Sequence, residues 1–141
     1  MDEKTTDDLR QELMSDGGLD AYLTENKDIF TDQNLGELLS RLYDKKSVSK
    51  AALARESGMS EVYLHQVFSG RRRPSRDRLL CLCAGLEADF EECQQLLKQA
   101  GYAQLYPRSR RDAIISYGII HRAPLEQINA KLTLEREKPL F

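Results

Sequence analysis

The sequence has no apolar run long enough to cross a membrane, and its first residues contain no charged region followed by an apolar one. We therefore expect no secretory signal and a cytoplasmic protein. Residue types that serve in catalysis or metal binding are also scarce, with only two histidines and three cysteines in 141 residues. His65 and His121 are isolated in sequence, so neither is expected to bind a metal.

The cysteines are Cys81, Cys83 and Cys93, and no CxxC pair is present. In a helix Cys81 and Cys83 would point about 200° apart, so their thiols could not hold one zinc ion. We expect buried thiols without a disulfide. The sequence also lacks a nucleophile elbow, a glycine-rich phosphate loop and a carboxylate pair with a histidine. It therefore predicts no enzyme, no cofactor and no metal site.

The net charge of −2 argues against a nucleic-acid binder, but its distribution argues for one. Residues 1–40 have three basic and eleven acidic side chains, whereas residues 41–122 have fifteen basic and nine acidic ones. Local charge matters more than the total, because salt screens charges beyond about 8–10 Å. The acidic N-terminal segment is interpreted either as a solvated helix pair or as an arm that covers the basic region and weakens binding.

Helical periodicity and capping signals recur along the chain, and no segment has the alternation typical of a strand. Ser49 and Ser60 are suited to N-caps, and Gly58 is suited to the left-handed end of a helix. Asp89 and Glu92 have the spacing of a capping box. The pattern therefore predicts an all-α fold.

A helix-turn-helix unit is predicted between Lys50 and Gly70. Leu53 and Ala54 give the first helix an apolar and a small residue, and Leu64 and Val67 give the second helix an apolar face. A run of three arginines, Arg71–Arg73, follows directly. Together these features indicate a surface that places one helix against an anion, of which duplex DNA is the commonest of suitable shape.

The unit resembles the helix-turn-helix of the lambda repressor/Cro family, also called the XRE-like family. With Lys50 as the first position of its twenty-residue pattern, six apolar, small or glycine positions match: Leu53, Ala54, Gly58, Met59, Leu64 and Val67. Ser57 departs from the aliphatic residue usual there, and we expect its hydroxyl to bond to a carbonyl one turn earlier.

This resemblance implies a lambda repressor-like bundle with N- and C-terminal helical extensions. We divide the chain into an acidic helical extension (1–31), the DNA-binding domain (32–101) and a C-terminal extension packed on the bundle (102–141). Ile29 and Phe30 are expected to contact the bundle.

The resemblance also implies a sequence-specific DNA-binding transcriptional regulator, in which a recognition helix at about 60–68 lies in the major groove. The partner would be double-stranded DNA, with a possible homodimer and a possible protein partner at either extension. The residues expected to contact bases are Glu61, Val62, His65 and Gln66. The residues expected to contact phosphates are Ser49, Lys50, Ser69, Arg71, Arg72 and Arg73.

One alternative is a protein–protein interaction adaptor that keeps this fold without binding DNA. Glu61 favours it, because a carboxylate on the reading face would repel phosphates. A second basic cluster, Arg108–Arg111, is interpreted as an auxiliary phosphate contact, as a site for an acidic partner, or as solvated arginines of which one pairs with Asp112 or with the acidic N-terminal segment.

A weak internal repeat has a constant offset of 35 residues. It relates Phe90, Cys93, Leu97 and Leu105-Tyr106 to Leu125, Ile128, Leu132 and Leu140-Phe141. It predicts a second helical hairpin behind the bundle. The apolar residues Leu134, Leu140 and Phe141 are interpreted either as a dimer contact or as part of the core.

Overall fold

The computed structural model of the chain describes residues 4–27 and 31–141, and Ile29 and Phe30 therefore lie outside the described residues. The described residues are helical or irregular, with no strand, in agreement with the all-α prediction. None of their helices is long and apolar enough to cross a membrane. The helices are α1 (Thr6–Met14), α2 (Leu19–Glu25), α3 (Thr31–Lys45), α4 (Lys50–Ser57), α5 (Glu61–Phe68), α6 (Arg76–Gly85), α7 (Phe90–Gln99), α8 (Arg110–Ile120) and α9 (Leu125–Leu134).

The chain divides into two compact units, Met1–Phe30 and Thr31–Phe141. The first is a hairpin of α1 and α2. Thr5 caps α1 in a reciprocal capping box with Asp8. The buried side chain of Asn26 accepts a hydrogen bond from Lys4 (2.8 Å) and donates one to Glu12 (3.1 Å). Neither helix has a buried residue, so polar contacts contribute much of what holds this hairpin together.

The second unit has a continuous apolar core that extends from Leu35 on α3 to Leu140. It contains residues 32–101, which we assigned to the DNA-binding domain, and residues 102–141, which we assigned to an extension packed on the bundle. Within this unit α8 packs on α9, α7 contacts α8, and α6 contacts α9. Of the three apolar residues in the terminal segment, Leu140 is buried, whereas Leu134 and Phe141 are exposed.

The turn between α4 and α5 is built as the sequence predicted. Gly58 has the left-handed conformation (φ 69°) that costs glycine nothing. Ser49 and Ser60 cap α4 and α5 through their hydroxyl oxygens. Ser57 is buried, and its hydroxyl donates to the Leu53 carbonyl at 2.6 Å, which explains how a polar residue occupies the usual aliphatic position.

Two glycines permit close helix contacts around this unit. A Cβ at Gly85 on α6 would lie 3.1 Å from both Leu53 Cδ1 and Ser57 Cβ of α4. A Cβ at Gly36 on α3 would lie 2.8 Å from the carbonyl oxygen of Phe68, at the end of α5. These contacts fix α4 and α5 against the neighbouring helices.

The 35-residue repeat has a structural counterpart in crossed ion pairs. The sequence Arg-Asp occurs at 76–77 on α6 and at 111–112 on α8. Arg76 donates to both carboxylate oxygens of Asp112 (3.2 and 3.0 Å), and Arg111 donates to both of Asp77 (3.1 and 3.2 Å). Each arginine therefore pairs with the aspartate of the other repeat, and the suggested pairing of Asp112 within Arg108–Arg111 is wrong.

Each repeat also ends in an irregular strap, residues 102–106 in the first and residues 137–141 in the second. Arg76 donates to two carbonyls of the first strap (2.9 and 3.4 Å), and Arg111 donates to the two equivalent carbonyls of the second (2.8 and 3.3 Å). Left-handed residues recur at the same offset, at Glu87 and Arg122. Residues 76–106 and 111–141 are thus two copies of one helix–turn–helix–strap unit.

Candidate nucleic-acid interface

The outward face of α5 carries the four side chains predicted to contact bases. Leu64 and Val67 are buried and fix the rotation of the helix. Glu61 and His65 are exposed and lie one turn apart. The four predicted residues thus lie on the polar side of α5, namely Glu61, Val62, His65 and Gln66.

These four residues differ in exposure. Val62 has 68% of its surface exposed, whereas Gln66 is half-buried. The Gln66 carbonyl accepts from the backbone N–H groups of Arg71 (2.9 Å) and Arg72 (3.1 Å). Its side-chain amide forms no hydrogen bond among the described residues, which leaves the NH₂ group available to donate to a ligand and the carbonyl oxygen available to accept from it.

Several basic side chains beside α5 lie over aromatic rings of α5 or of the neighbouring α3. Lys50 Nζ lies 3.9 Å from the ring centroid of Phe68 and 4.8 Å from that of Tyr43. Cation–π attraction holds the ammonium group over these rings while its N–H groups remain available for an anion. Lys50 thereby joins the start of α4 to the end of α5.

A second cationic pair surrounds the Tyr63 ring. The guanidinium carbon of Arg72 lies 5.6 Å from the ring centroid, and that of Arg78 lies 4.7 Å from it. Arg78 was not among the predicted site residues. One feature of the sequence could have indicated Arg78. Ser75 caps α6 and places Arg78 in the first turn, where the helix dipole disfavours a cation, so a basic residue at this position suggests a role other than stabilising the helix.

The three arginines of the run 71–73 have different surroundings. Arg71 is exposed, and Arg72 stacks on Tyr63. Arg73 donates to the carbonyl of Ala100 and lies 4.8 Å from the Tyr102 ring centroid. Arg73 therefore ties the loop to the end of α7, and a phosphate would have to compete with those contacts.

The two serines predicted to contact phosphates already make internal hydrogen bonds. The Ser49 hydroxyl oxygen accepts from the Ala52 N–H (3.1 Å), which leaves its own O–H free to donate. The Ser69 hydroxyl donates to the Gln66 carbonyl (3.2 Å). A phosphate contact therefore fits Ser49 better than Ser69.

The second basic cluster is largely neutralised by the same chain. Arg110 pairs with Glu135 (2.5 Å) and Glu137 (3.8 Å), and Arg111 pairs with Asp77. These pairs disfavour the auxiliary phosphate site proposed for Arg108–Arg111, since a phosphate would have to displace carboxylates.

The cysteines are buried and free. Burial raises the pKa of the Cys81 thiol to about 12, and a hydrogen bond with Cys93 together with burial raises the pKa of Cys83. In the described ranges no cluster of three or more His, Cys, Asp or Glu side chains is placed to hold a metal ion. His121 lies against the Tyr117 ring, with ring centroids 4.1 Å apart.

Comparison with protein families matches residues 34–96 to a family described as a helix-turn-helix domain. The match covers somewhat less than half of the chain and includes α4 and α5 in full. No curated protein and no solved structure matches the sequence. The fold and the match together define an all-α protein with a helix-turn-helix domain, a class that suggests a DNA-binding regulator.

Proposed function

We propose that the protein is a sequence-specific DNA-binding transcriptional regulator of the lambda repressor/Cro (XRE-like) type that acts in the cytoplasm. The proposal rests on one observation: the polar face of α5 lies beside three cations, and each of them is held over an aromatic ring of the same helix. Lys50 lies on Phe68, and Arg72 and Arg78 lie on Tyr63. A polar helix face next to fixed cations suits the major groove, where bases are read beside a row of phosphates.

The base-reading roles follow from side-chain chemistry. Gln66 has the donor and acceptor that pair with N6 and N7 of adenine, and Val62 suits the methyl group of thymine. Glu61 accepts from the amino group of cytosine, and His65 is exposed one turn further along α5. These four residues would determine sequence preference.

The phosphate-binding roles belong to Ser49, Lys50, Arg71, Arg72 and, in addition to our sequence prediction, Arg78. Ser69 and Arg73 would have to exchange their present carbonyl partners for a phosphate, so we assign them smaller contributions. As in the family that the unit resembles, we propose binding to a two-fold site as a dimer, with half-sites one helical turn apart.

Selection of bound sequences from a random duplex pool tests this function directly. The wild type should enrich one motif. Gln66→Ala should relax the preference at one base pair, at a cost of about 1–3 kcal/mol for the best site, with little effect on random duplex. Failure to enrich any motif would contradict sequence-specific binding.

Phosphate binding is tested with the double variant Arg71→Ala/Arg72→Ala. It should bind selected and random duplexes about equally more weakly than the wild type, because phosphate contacts carry no sequence information. The matched control is Arg122→Ala/Arg136→Ala, which removes two exposed arginines after α8 and α9. Equal affinities of the two double variants for duplex DNA would contradict the assigned contacts.

A second candidate function, the adaptor without DNA binding, is favoured by the exposed Glu61 carboxylate on the reading face. Titrating the protein with random duplex DNA at low salt distinguishes the two functions, because phosphate contacts contribute most to affinity at low salt. Absence of binding at micromolar protein would favour the adaptor. Glu61→Gln should strengthen binding to random duplex under the first proposal, because it removes a like charge from the interface.

A further inference from the structure

A groove between the turn of the helix-turn-helix and the second strap is lined by two exposed cations. It is here called the strap groove, and the lining residues that matter for its chemistry are Gly58 and Met59 of the turn, Asp77 and Arg78 at the start of α6, and Lys138 of the strap. The side chains of Arg78 and Lys138 are exposed. The groove therefore brings a cation of the second repeat to the helix-turn-helix unit.

Arg111 holds the second strap beside the start of α6 and neutralises the acidic residue of the groove. Its guanidinium group donates to both carboxylate oxygens of Asp77 (3.1 and 3.2 Å) and to the carbonyl of Lys138 (2.8 Å). Within residues 4–27 and 31–141, neither Lys138 nor Arg78 forms an ion pair with a carboxylate. The described residues thus compensate the negative charge of the strap groove and leave its two positive charges available to an anion.

The internal repeat provides an equivalent place in which alanine replaces both cations. There Arg76 joins the start of α8 to the carbonyl of Ala103 in the first strap (2.9 Å). With the offset of 35 residues, Lys138 corresponds to Ala103 and Arg78 corresponds to Ala113. The repeat can therefore hold its strap against a helix start without these cations, so their presence together in the strap groove indicates a different role.

The position of Arg78 connects the strap groove to the polar face of α5, because its guanidinium carbon lies 4.7 Å from the centroid of the Tyr63 ring. We propose that Arg78 and Lys138 together hold one phosphate of the DNA backbone beside the recognition helix. The second strap is then part of the DNA interface, although it lies outside the matched residues 34–96. The inference rests on the proposed function and extends its binding site.

The chemistry of the three basic residues assigns each of them a part. The guanidinium group of Arg78 and the ammonium group of Lys138 both form charge-assisted hydrogen bonds with phosphate oxygens. Arg111 is a positioning residue, because it holds the Lys138 carbonyl and pairs with the carboxylate that would otherwise repel the phosphate.

Fluorescence anisotropy titration with random duplex tests the role of Lys138. Lys138→Ala should weaken binding roughly fivefold, and Lys138→Arg should restore most of the affinity. The strap should keep its place in both variants, since Arg111 bonds the backbone carbonyl of residue 138 and not its side chain. Thermal melts followed by circular dichroism should therefore match that of the wild type.

A matched control keeps the net charge and moves the lysine. In Ile120→Lys/Lys138→Ala the new lysine is at the last residue of α8, and the residues that follow it line a pocket with the end of α6, not with its start. This variant should bind as weakly as Lys138→Ala. If it binds random duplex as tightly as the wild type does, total charge and not the position of Lys138 sets the affinity, and the inference is wrong.

A double-mutant cycle tests whether the two cations share one phosphate. The fold losses of affinity in Arg78→Ala and Lys138→Ala should not multiply in the double variant, because groups that act on one partner are coupled. Losses that multiply would overturn the shared phosphate. A wild type that does not bind duplex DNA would contradict the proposed function as a whole, whereas a wild type that binds no better than Lys138→Ala would overturn this inference alone.

Discussion

At the scale of single residues, each repeat uses an amide side chain to bond the backbone of its strap, and the two side chains differ in length. Gln94 on α7 accepts from the Leu105 N–H (2.8 Å) and donates to the Leu105 carbonyl (3.1 Å). Its equivalent, Asn129 on α9, accepts from the Leu140 N–H (2.7 Å), but its buried Nδ2 has no hydrogen-bond partner within residues 4–27 and 31–141. The Asn129 side chain therefore makes one hydrogen bond to the second strap, where the Gln94 side chain makes two to the first.

Asn129→Gln should stabilise the protein. The extra methylene lets the amide nitrogen reach the Leu140 carbonyl, as it does in Gln94, and one satisfied buried donor contributes on the order of 1 kcal/mol. Urea denaturation of the wild type and the variant measures the difference. The reciprocal change, Gln94→Asn, should lower the free energy of unfolding by a similar amount. A loss of stability in Asn129→Gln would show that the second strap cannot accept the longer side chain.

The buried thiols make stability depend on pH in the alkaline range. The native pKa of Cys81 is raised from 9.0 to about 12, so the unfolded chain releases this proton at lower pH than the native protein. The stabilising contribution is complete below pH 9 and falls as the pH rises toward 12, with a slope of up to about 1.4 kcal/mol per pH unit. Cys81→Ala should show a shallower decline in urea denaturation over this range. If the free energy of unfolding falls equally with pH in the wild type and in Cys81→Ala, the Cys81 thiol is not the source of the pH dependence.

At the scale of helices, the crossed ion pairs join α6 to α8 with unequal strength. Asp112 is buried and also accepts from the Tyr106 N–H (3.0 Å), whereas Asp77 is more exposed. Asp112→Asn should destabilise by about 3 kcal/mol, because Arg76 is left as a largely buried charge without its counter-ion. Asp77→Asn should cost less, about 1 kcal/mol, because the Asp77 side chain is more exposed than that of Asp112 (26% against 10%) and its ion pair is better screened by water. Chemical denaturation of the two variants gives the order, and the reverse order would contradict this reasoning.

The local features of the helices could be predicted from sequence, whereas the contacts between them could not. Caps such as Ser49 depend on the residues that follow within one turn, and the hydrogen bond of Ser57 depends on a carbonyl four residues earlier. The Arg76–Asp112 pair joins residues 36 apart, and its geometry arises only when the two repeats pack. The part that Arg78 takes in the candidate site could not be predicted either, because its contact with the Tyr63 ring joins two different helices.

At the scale of the whole molecule, acidic and basic residues are concentrated in different parts of the chain. The described part of the first unit is rich in carboxylates, and its Lys4 pairs with Glu12 (2.5 Å) inside that unit. In the second unit several basic side chains are neutralised by ion pairs within the unit, as Arg111 is by Asp77. The net charge of −2 therefore says little about the surface that a polyanion would meet, because the cations near α5 are held by aromatic rings instead of carboxylates.

The salt dependence of DNA affinity reports how many of these cations act. Lys50, Arg71, Arg72 and Arg78 would each neutralise one phosphate per subunit, so the logarithm of the association constant should fall with that of salt concentration with a slope of roughly −3.6 per bound subunit. Arg71→Ala/Arg72→Ala should reduce the slope to roughly −1.8, and Arg122→Ala/Arg136→Ala should leave it unchanged. Fluorescence anisotropy with labelled duplex at several salt concentrations gives the slopes. If the first double variant keeps the wild-type slope, the bound phosphates must be neutralised by other side chains.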